Sequence, residues 1–263
     1  MKVVREESMH IPFTCTRCAE EGIAGYPTGY VDLSDDGKHE VQCERGHRFY
    51  VILQNPKYEL LMDSGALALG DGYYREAVAS FAAALEAFWG FYVRAVARKL
   101  GAPEDTIPRL RKELKLSERR RGAVSLTHLA LTKTNYAPGD DKVSAQLGKR
   151  TPTGFRNEVV HEGVFPPRDE AVAYGAWVYE TILDGIAELR THAPEEFELE
   201  LRTPLADAHQ EIFQREPEVR RTTHYIGTLL QGGAGVPRRA FEAVLGHWSQ
   251  ANAWQSLRLE EAT

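Results

Sequence analysis

The spacing of apolar positions changes character once along the chain. Residues 10–54 carry short alternating stretches, Gly29–Leu33 and Arg48–Leu53, flanking the turn Ser34-Asp35-Asp36-Gly37, and predict strands and turns. After Pro56 the pattern is helical. The clearest helix is Asp71–Leu100, with Tyr74, Ala77, Val78, Phe81, Leu85, Phe88, Trp89, Tyr92, Val96 and Leu100 at three- and four-residue spacing. That stripe is wide enough to be covered on more than one side, and Gly101-Ala102-Pro103 ends it.

Further helices are predicted at about 104–121, 123–134 and 140–149. Thr151-Pro152 reads as an N-cap followed by proline at the first helical position, and Gly163 with Pro166-Pro167 closes the short helix so begun. A long helix is predicted at about 167–192, with Val172, Trp177, Val178, Ile182, Ile186 and Leu189 inward. Residues 193–263 read as helical, broken at Gly232-Gly233-Ala234-Gly235-Val236-Pro237, and suggest no role. The fold expected is mainly α: a small β-rich module over 1–55, a helical domain over 56–192 and a C-terminal extension over 193–263.

Composition adds bounds to this picture. The 263 residues are 43% hydrophobic and 27% charged, ordinary for a globular chain. No run of 18 apolar residues occurs, so no membrane span is expected. The N-terminus MKVVREESMHIPF lacks a secretory pattern, and three cysteines make no disulfide framework, which together predict a cytoplasmic protein. The net charge of -6 means that nucleic-acid binding must rest on a local basic surface. Arg109–Arg121 could provide one, with seven basic residues against two acidic; a solvated helix face explains it equally well. It holds no aromatic residue, so it cannot stack bases.

Two clusters carry candidate chemistry. Cys15-Thr16-Arg17-Cys18 is a CxxC pair, followed by Cys43-Glu44-Arg45-Gly46-His47. Three thiolates and an imidazole on two turns make a closed tetrahedral set, the arrangement of a structural Zn2+ site. A segment of this size has little core of its own, so a metal would supply folding energy. The segment looks like a zinc ribbon whose last cysteine is replaced by His47; His39 and His10 are the alternative fourth ligands. A reduced thiol set without metal is the plainer alternative. The second cluster is Phe155-Arg156-Asn157-Glu158-Val159-Val160-His161. At 100° per residue, Arg156, Asn157, Val160 and His161 fall within about 140° of one helix face. Arginine can neutralise a phosphorane-like transition state and histidine can move protons near neutrality. A surface helix whose histidine is merely hydrogen-bonded is the alternative.

RNEVVH, an arginine, a polar residue, three further positions and a histidine, resembles the hallmark motif of HEPN domains. Asp71–Val78 leading into Ala84-Leu85-Glu86 resembles the second long helix of that family, and the resemblance spans about residues 57–192. It implies metal-independent endoribonuclease chemistry, with 2′-hydroxyl attack leaving a 2′,3′-cyclic end at a site formed across a homodimer. On that resemblance Arg156 stabilises charge, His161 is acid or base, and Asn157 orients ribose or phosphate. Glu86 is a further candidate, or an ion-pair partner. The toxin members that carry a tyrosine two positions after the histidine differ here, because Gly163 stands in its place. RNA is the expected substrate, and an antitoxin or defence-system protein an expected partner. A non-catalytic HEPN adaptor and a purely structural zinc protein remain the other readings. The features of a zinc protease, a phosphate loop, a G-x-S-x-G hydrolase and a dinucleotide fold are missing.

Overall fold

A computed structural model describes residues 10–23, 28–114, 117–230 and 240–251. The expected glycine-rich break at 232–237, residues 1–9 and positions 115–116 of the basic run lie outside the described residues. In chain order the elements are β1 (His10–Thr14), α1 (Thr16–Glu20), β2 (Thr28–Asp32), β3 (Lys38–Gln42), β4 (Arg48–Leu53), α2 (Lys57–Gly70) and α3 (Tyr74–Lys99). They continue with α4 (Ile107–Glu113), α5 (Ser117–Thr132), α6 (Asp140–Ser144), α7 (Pro152–His161), α8 (Arg168–His192), α9 (Pro194–Arg215), β5 (Arg220–His224) and α10 (Phe241–Ala251). The protein is mainly α, with a small N-terminal β region that bears the Cys/His cluster. Among the described residues no helix is long and apolar enough to cross a membrane.

The chain divides into two compact units. Among the described residues, one holds those within 10–55 and 201–226; the other holds those within 56–200 and 227–251. The segment after residue 192, which the sequence left without a role, is therefore divided between them.

In the Cys/His unit β1 pairs antiparallel with β2, and a three-stranded sheet runs in the order β3-β4-β5. The expected turn at Ser34–Gly37 leads into β3, which pairs antiparallel with β4, Val41 opposite Phe49. Strand β4 does not alternate: all five residues from Phe49 to Leu53 are buried. The reason is its central place, with β5 adding to its other edge in parallel, Val51 opposite Thr222. Tyr50 and Ile52 pack on Ala208 and Ile212 of α9, with Leu205 and Val219 at the margin. On the sheet, Phe13 contacts the rings of His39 and His224, the latter edge-on at 4.9 Å. The module's core is thus completed by a strand 171 positions downstream, Arg220 opposite Phe49, a pairing with no local sequence signal.

The helical unit is organised around α3, which packs against α2, α8, α5 and α7. Its expected stripe is buried from Ala77 to Val96, but Leu100 is 57% exposed. The helix stops at Lys99, and Gly101 takes a positive φ of 87°. Close packing depends on glycines facing phenylalanines. A Cβ at Gly65 of α2 would lie 2.4 Å from the Phe81 ring, and one at Gly185 of α8 would lie 2.5 Å from Phe88. The inward residues expected on α8 are all buried.

The helix expected over 104–121 is two helices, α4 and α5. Arg120 Nε of α5 donates to the carbonyl of Leu114 at 2.5 Å, and Arg119 Nη1 to that of Glu113 at 3.4 Å. Side-chain donors from α5 thus satisfy carbonyls at the end of α4. Gly122, between the helices expected at 104–121 and 123–134, lies inside α5 with open space where a Cβ would stand. The run expected at 140–149 is helical only to Ser144; turns follow it, with Gly148 and Lys149 both at positive φ.

Candidate functional site

Two sites assemble from the sequence candidates, one in each unit. In the first, Cys15 sits in extended backbone and starts α1, which carries Cys18 one turn on. The second pair lies on the turn closing the β3–β4 hairpin. Cys43 N donates to His47 O at 3.1 Å and Gly46 N to Cys43 O at 2.8 Å. Gly46 takes φ 81°, a left-handed conformation that glycine reaches without a Cβ penalty.

The ligand atoms of Cys15, Cys18, Cys43 and His47 all lie within 4.8 Å of one another, and all three cysteines are free. His47 Nδ1 is 3.2 Å from Cys18 Sγ and 3.6 Å from Cys15 Sγ, and Cys18 Sγ is 3.9 Å from Cys43 Sγ. Metal–sulfur bonds of about 2.3 Å and a metal–nitrogen bond of about 2.0 Å at tetrahedral angles place ligand atoms roughly 3.5–3.8 Å apart. The four residues therefore fit one tetrahedral metal ion. The cysteines are buried, Cys15 and Cys18 fully.

Burial and the neighbouring thiols push the Cys18 thiol up to about 12, so the cluster disfavours a thiolate there unless a cation joins it. At Cys43 burial also opposes ionisation. Backbone N–H groups of His47 and Arg45 outweigh it and hold that thiol below its ordinary value. On its far side His47 Nε2 faces Glu21 Oε1 at 3.7 Å, the kind of outer carboxylate that orients a ligating imidazole. His39, an alternative ligand in the sequence, is buried on β3 opposite Val51 and stands outside the cluster. His10 lies on β1.

The second site is built on α7. Thr151 caps this helix, its Oγ1 accepting from Gly154 N at 3.1 Å with Pro152 in the first turn, as the sequence indicates. Phe155 and Val159 are fully buried and fix which face remains outward. Arg150 anchors the start: its guanidinium lies 4.9 Å over the Phe155 ring, bonds Glu158 at 3.0 Å and pairs with Glu170 of α8.

On a second, half-buried face, Arg156 Nη1 donates to Asn157 Oδ1 at 2.9 Å and to His161 Nε2 at 3.2 Å. Arginine has no acceptor, so this contact takes the imidazole tautomer that accepts at Nε2. Arg156 Nη2 donates to Glu86 Oε1 of α3, whose other oxygen accepts from Arg120 Nη1 at 3.2 Å. The structure thus brings Arg156, Asn157, His161 and Glu86 together, and adds Arg120. Glu86 is an ion-pair partner of two arginines, with a side chain one-fifth exposed. His161 stays exposed at the end of α7. Behind the cluster, Tyr174 is buried against Phe155, and burial raises its phenol far above the usual range.

Sequence reasoning placed Arg120 in a basic run but not in this site. Its partner lies 34 positions away on another helix, and no spacing rule connects them. The rest of the run is mixed. Arg121 is engaged with Thr153 and Asp140, whereas Arg109 and Lys112 are exposed.

Comparison of the chain with protein-family models, with curated proteins and with solved structures finds no match. The functional reading therefore rests on the geometry of these two sites and on the motif that led to the second.

Proposed function

We propose that this chain is an endoribonuclease of the HEPN type carrying one structural zinc ion at Cys15, Cys18, Cys43 and His47. The observation that carries it is the hydrogen-bonded trio Arg156–Asn157–His161 on one face of α7, half-buried at Arg156 and Asn157 and exposed at His161. In the proposed reaction a histidine takes the proton of the ribose 2′-hydroxyl as its oxygen attacks the adjacent phosphorus. Arg156 offsets the charge that builds on the phosphoryl oxygens. The bond to the 5′-oxygen breaks, and that oxygen receives a proton from a second histidine, leaving a 2′,3′-cyclic phosphate. One chain offers a single His161, so base and acid are supplied together by a homodimer with the two α7 faces meeting on its axis. Arginine provides the charge relief, so a catalytic divalent ion is not required.

The zinc reading rests on ligand chemistry. Three thiolates and one imidazole in a buried tetrahedral set favour zinc and leave no open position for substrate.

A second reading has its own support. Arg156 is already paired with Glu86, which lowers its availability to a phosphate. A neutralised arginine of this kind suits a non-catalytic HEPN adaptor.

The discriminating experiment incubates the purified chain with single-stranded RNA and with DNA of the same sequence. Expected are cleavage of RNA alone with cyclic phosphate ends, and a loss of roughly a hundredfold in His161→Ala and in Arg156→Ala, about 3 kcal/mol of barrier each. Sedimentation should give about twice 29.5 kDa. Equal cleavage by wild type and His161→Ala, or a monomer with and without RNA, would leave the adaptor reading in its place.

A further inference from the structure

The helical unit contains a cavity that shares no residue with the Arg156 cluster. It measures about 280 Å³, at the small end of ligand sites, and lies among α3, α5, α8 and the segment 134–138. Its walls are aromatic: Phe88, Trp89 and Tyr92 from α3, and Tyr136 from the loop. A hydrogen bond from Trp89 Nε1 to Tyr136 Oη at 3.1 Å ties loop to helix. Gly185 keeps the α8 wall thin, since a Cβ there would strike Phe88 at 2.5 Å.

Two of the lining side chains are acidic, and His128 is the one lining residue that can carry positive charge. Glu188 and Asp184, one turn apart on α8, both line it, and no lysine or arginine does. Two carboxylates four residues apart stand about 6 Å apart along the helix axis. Asp184 is exposed at the rim, while the Glu188 side chain is 19% exposed. Glu188 accepts from the Tyr92 hydroxyl and lies 3.0 Å from His128 Nδ1, whose other nitrogen is 3.1 Å from Thr134 Oγ1. The imidazole packs edge-on against Tyr136 at 5.4 Å. Burial pushes the Tyr136 phenol up to about 12, so its ring meets the cavity as a neutral aromatic face.

We propose that this cavity binds a small organic ammonium ion. Aromatic faces attract a cation through their quadrupole, and the attraction grows when the site excludes water. Glu188 and Asp184 supply the counter-charge, Glu188 inside and Asp184 at the mouth. A phosphorylated ligand meets two carboxylates and no lysine or arginine among the lining residues, so the site differs in chemistry from the α7 face. The size admits one compact head group, a quaternary ammonium or the end of a short alkyl diamine.

Calorimetric titration of the full chain tests this with choline, with putrescine, and with 3,3-dimethylbutan-1-ol, the uncharged carbon isostere of choline. Saturable binding of choline or putrescine is expected, with the neutral isostere at least about tenfold weaker. Choline ahead of putrescine assigns the larger share to the rings; the reverse assigns it to the carboxylates. Glu188→Gln keeps an acceptor for Tyr92, and Asp184→Asn changes an exposed side chain, so both variants fold. Each should weaken the cation about tenfold and leave the isostere unchanged. Absence of binding by both cations at millimolar concentration overturns the proposal. So does an isostere that binds as tightly as choline, or wild-type affinity in both carboxylate variants.

Discussion

The guanidinium of Arg156 rests on the carboxylate of Glu86, seventy positions earlier and on a different helix. That carboxylate also holds Arg120, so two arginines converge on one acidic group beside His161. The arrangement fixes the direction of Arg156 and at the same time neutralises it.

This duality makes Glu86→Gln informative. The amide keeps one acceptor for Arg156 but removes the charge that holds both arginines. RNA binding, followed by fluorescence anisotropy, should tighten because two cations are released toward phosphate. Cleavage should slow by roughly tenfold because Arg156 loses its fixed direction. A variant with unchanged affinity and unchanged rate would show that the ion pair is scaffolding only.

The metal site makes a prediction that spans distant segments. Protein purified without added metal should contain about one zinc per chain, and Cys15→Ser combined with Cys18→Ser should lose it. Hydrogen exchange should then quicken in β3 and β4 and equally in β5, because 201–226 belongs to the same compact unit. Exchange confined to residues 10–54 would separate β5 from the metal-dependent fold. The helical circular dichroism signal should remain.

Gly175 of α8 faces the Phe81 ring, where an added Cβ would stand 2.6 Å from the ring edge and 3.1 Å from Phe241. The ring cannot retreat, because Gly65 presses on it from α2. Gly175→Ala should therefore cost about 1–3 kcal/mol in denaturant unfolding. Combining it with Phe81→Leu should cost less than the two single changes added together, since the smaller side chain makes room. Strict additivity would show that the crowding is relieved elsewhere.

Asp63 of α2 is fully buried and accepts from Leu229 N at 2.9 Å. Burial raises its carboxyl well above the ordinary value, with the nearby Glu59 adding to the shift and the Leu229 bond opposing it. A raised folded-state value means that its contribution to stability is complete below the unfolded value and is lost as pH rises through the folded one. The stability of wild type relative to Asp63→Asn should therefore decline from acidic toward neutral pH and above. A pH-independent difference in urea midpoints would place the Asp63 charge elsewhere.

Much of the local architecture is written in local sequence. Thr151-Pro152 starts α7, and the 100° step puts Arg156, Asn157 and His161 on one face, because caps and helical periodicity act within a few residues. CxxC and the Cys43–His47 turn are equally local, and they predict a four-ligand cluster whose two halves the fold then brings within 4.8 Å. The division of 104–121 into α4 and α5 was not visible, because no glycine or proline stands between residues 109 and 121; arginine side chains of α5 meet the last carbonyls of α4 instead. Strand β5 carries no apolar alternation, since RRTTH owes its place to the open edge of β4. The union of Glu86 with Arg156 and Arg120, and the carboxylate-bearing aromatic cavity, join residues from separate helices. Sequence spacing fixes which side chains share an element, through covalent geometry. Only packing, settled by apolar burial over the whole unit, decides which elements face each other, and with that which charges meet.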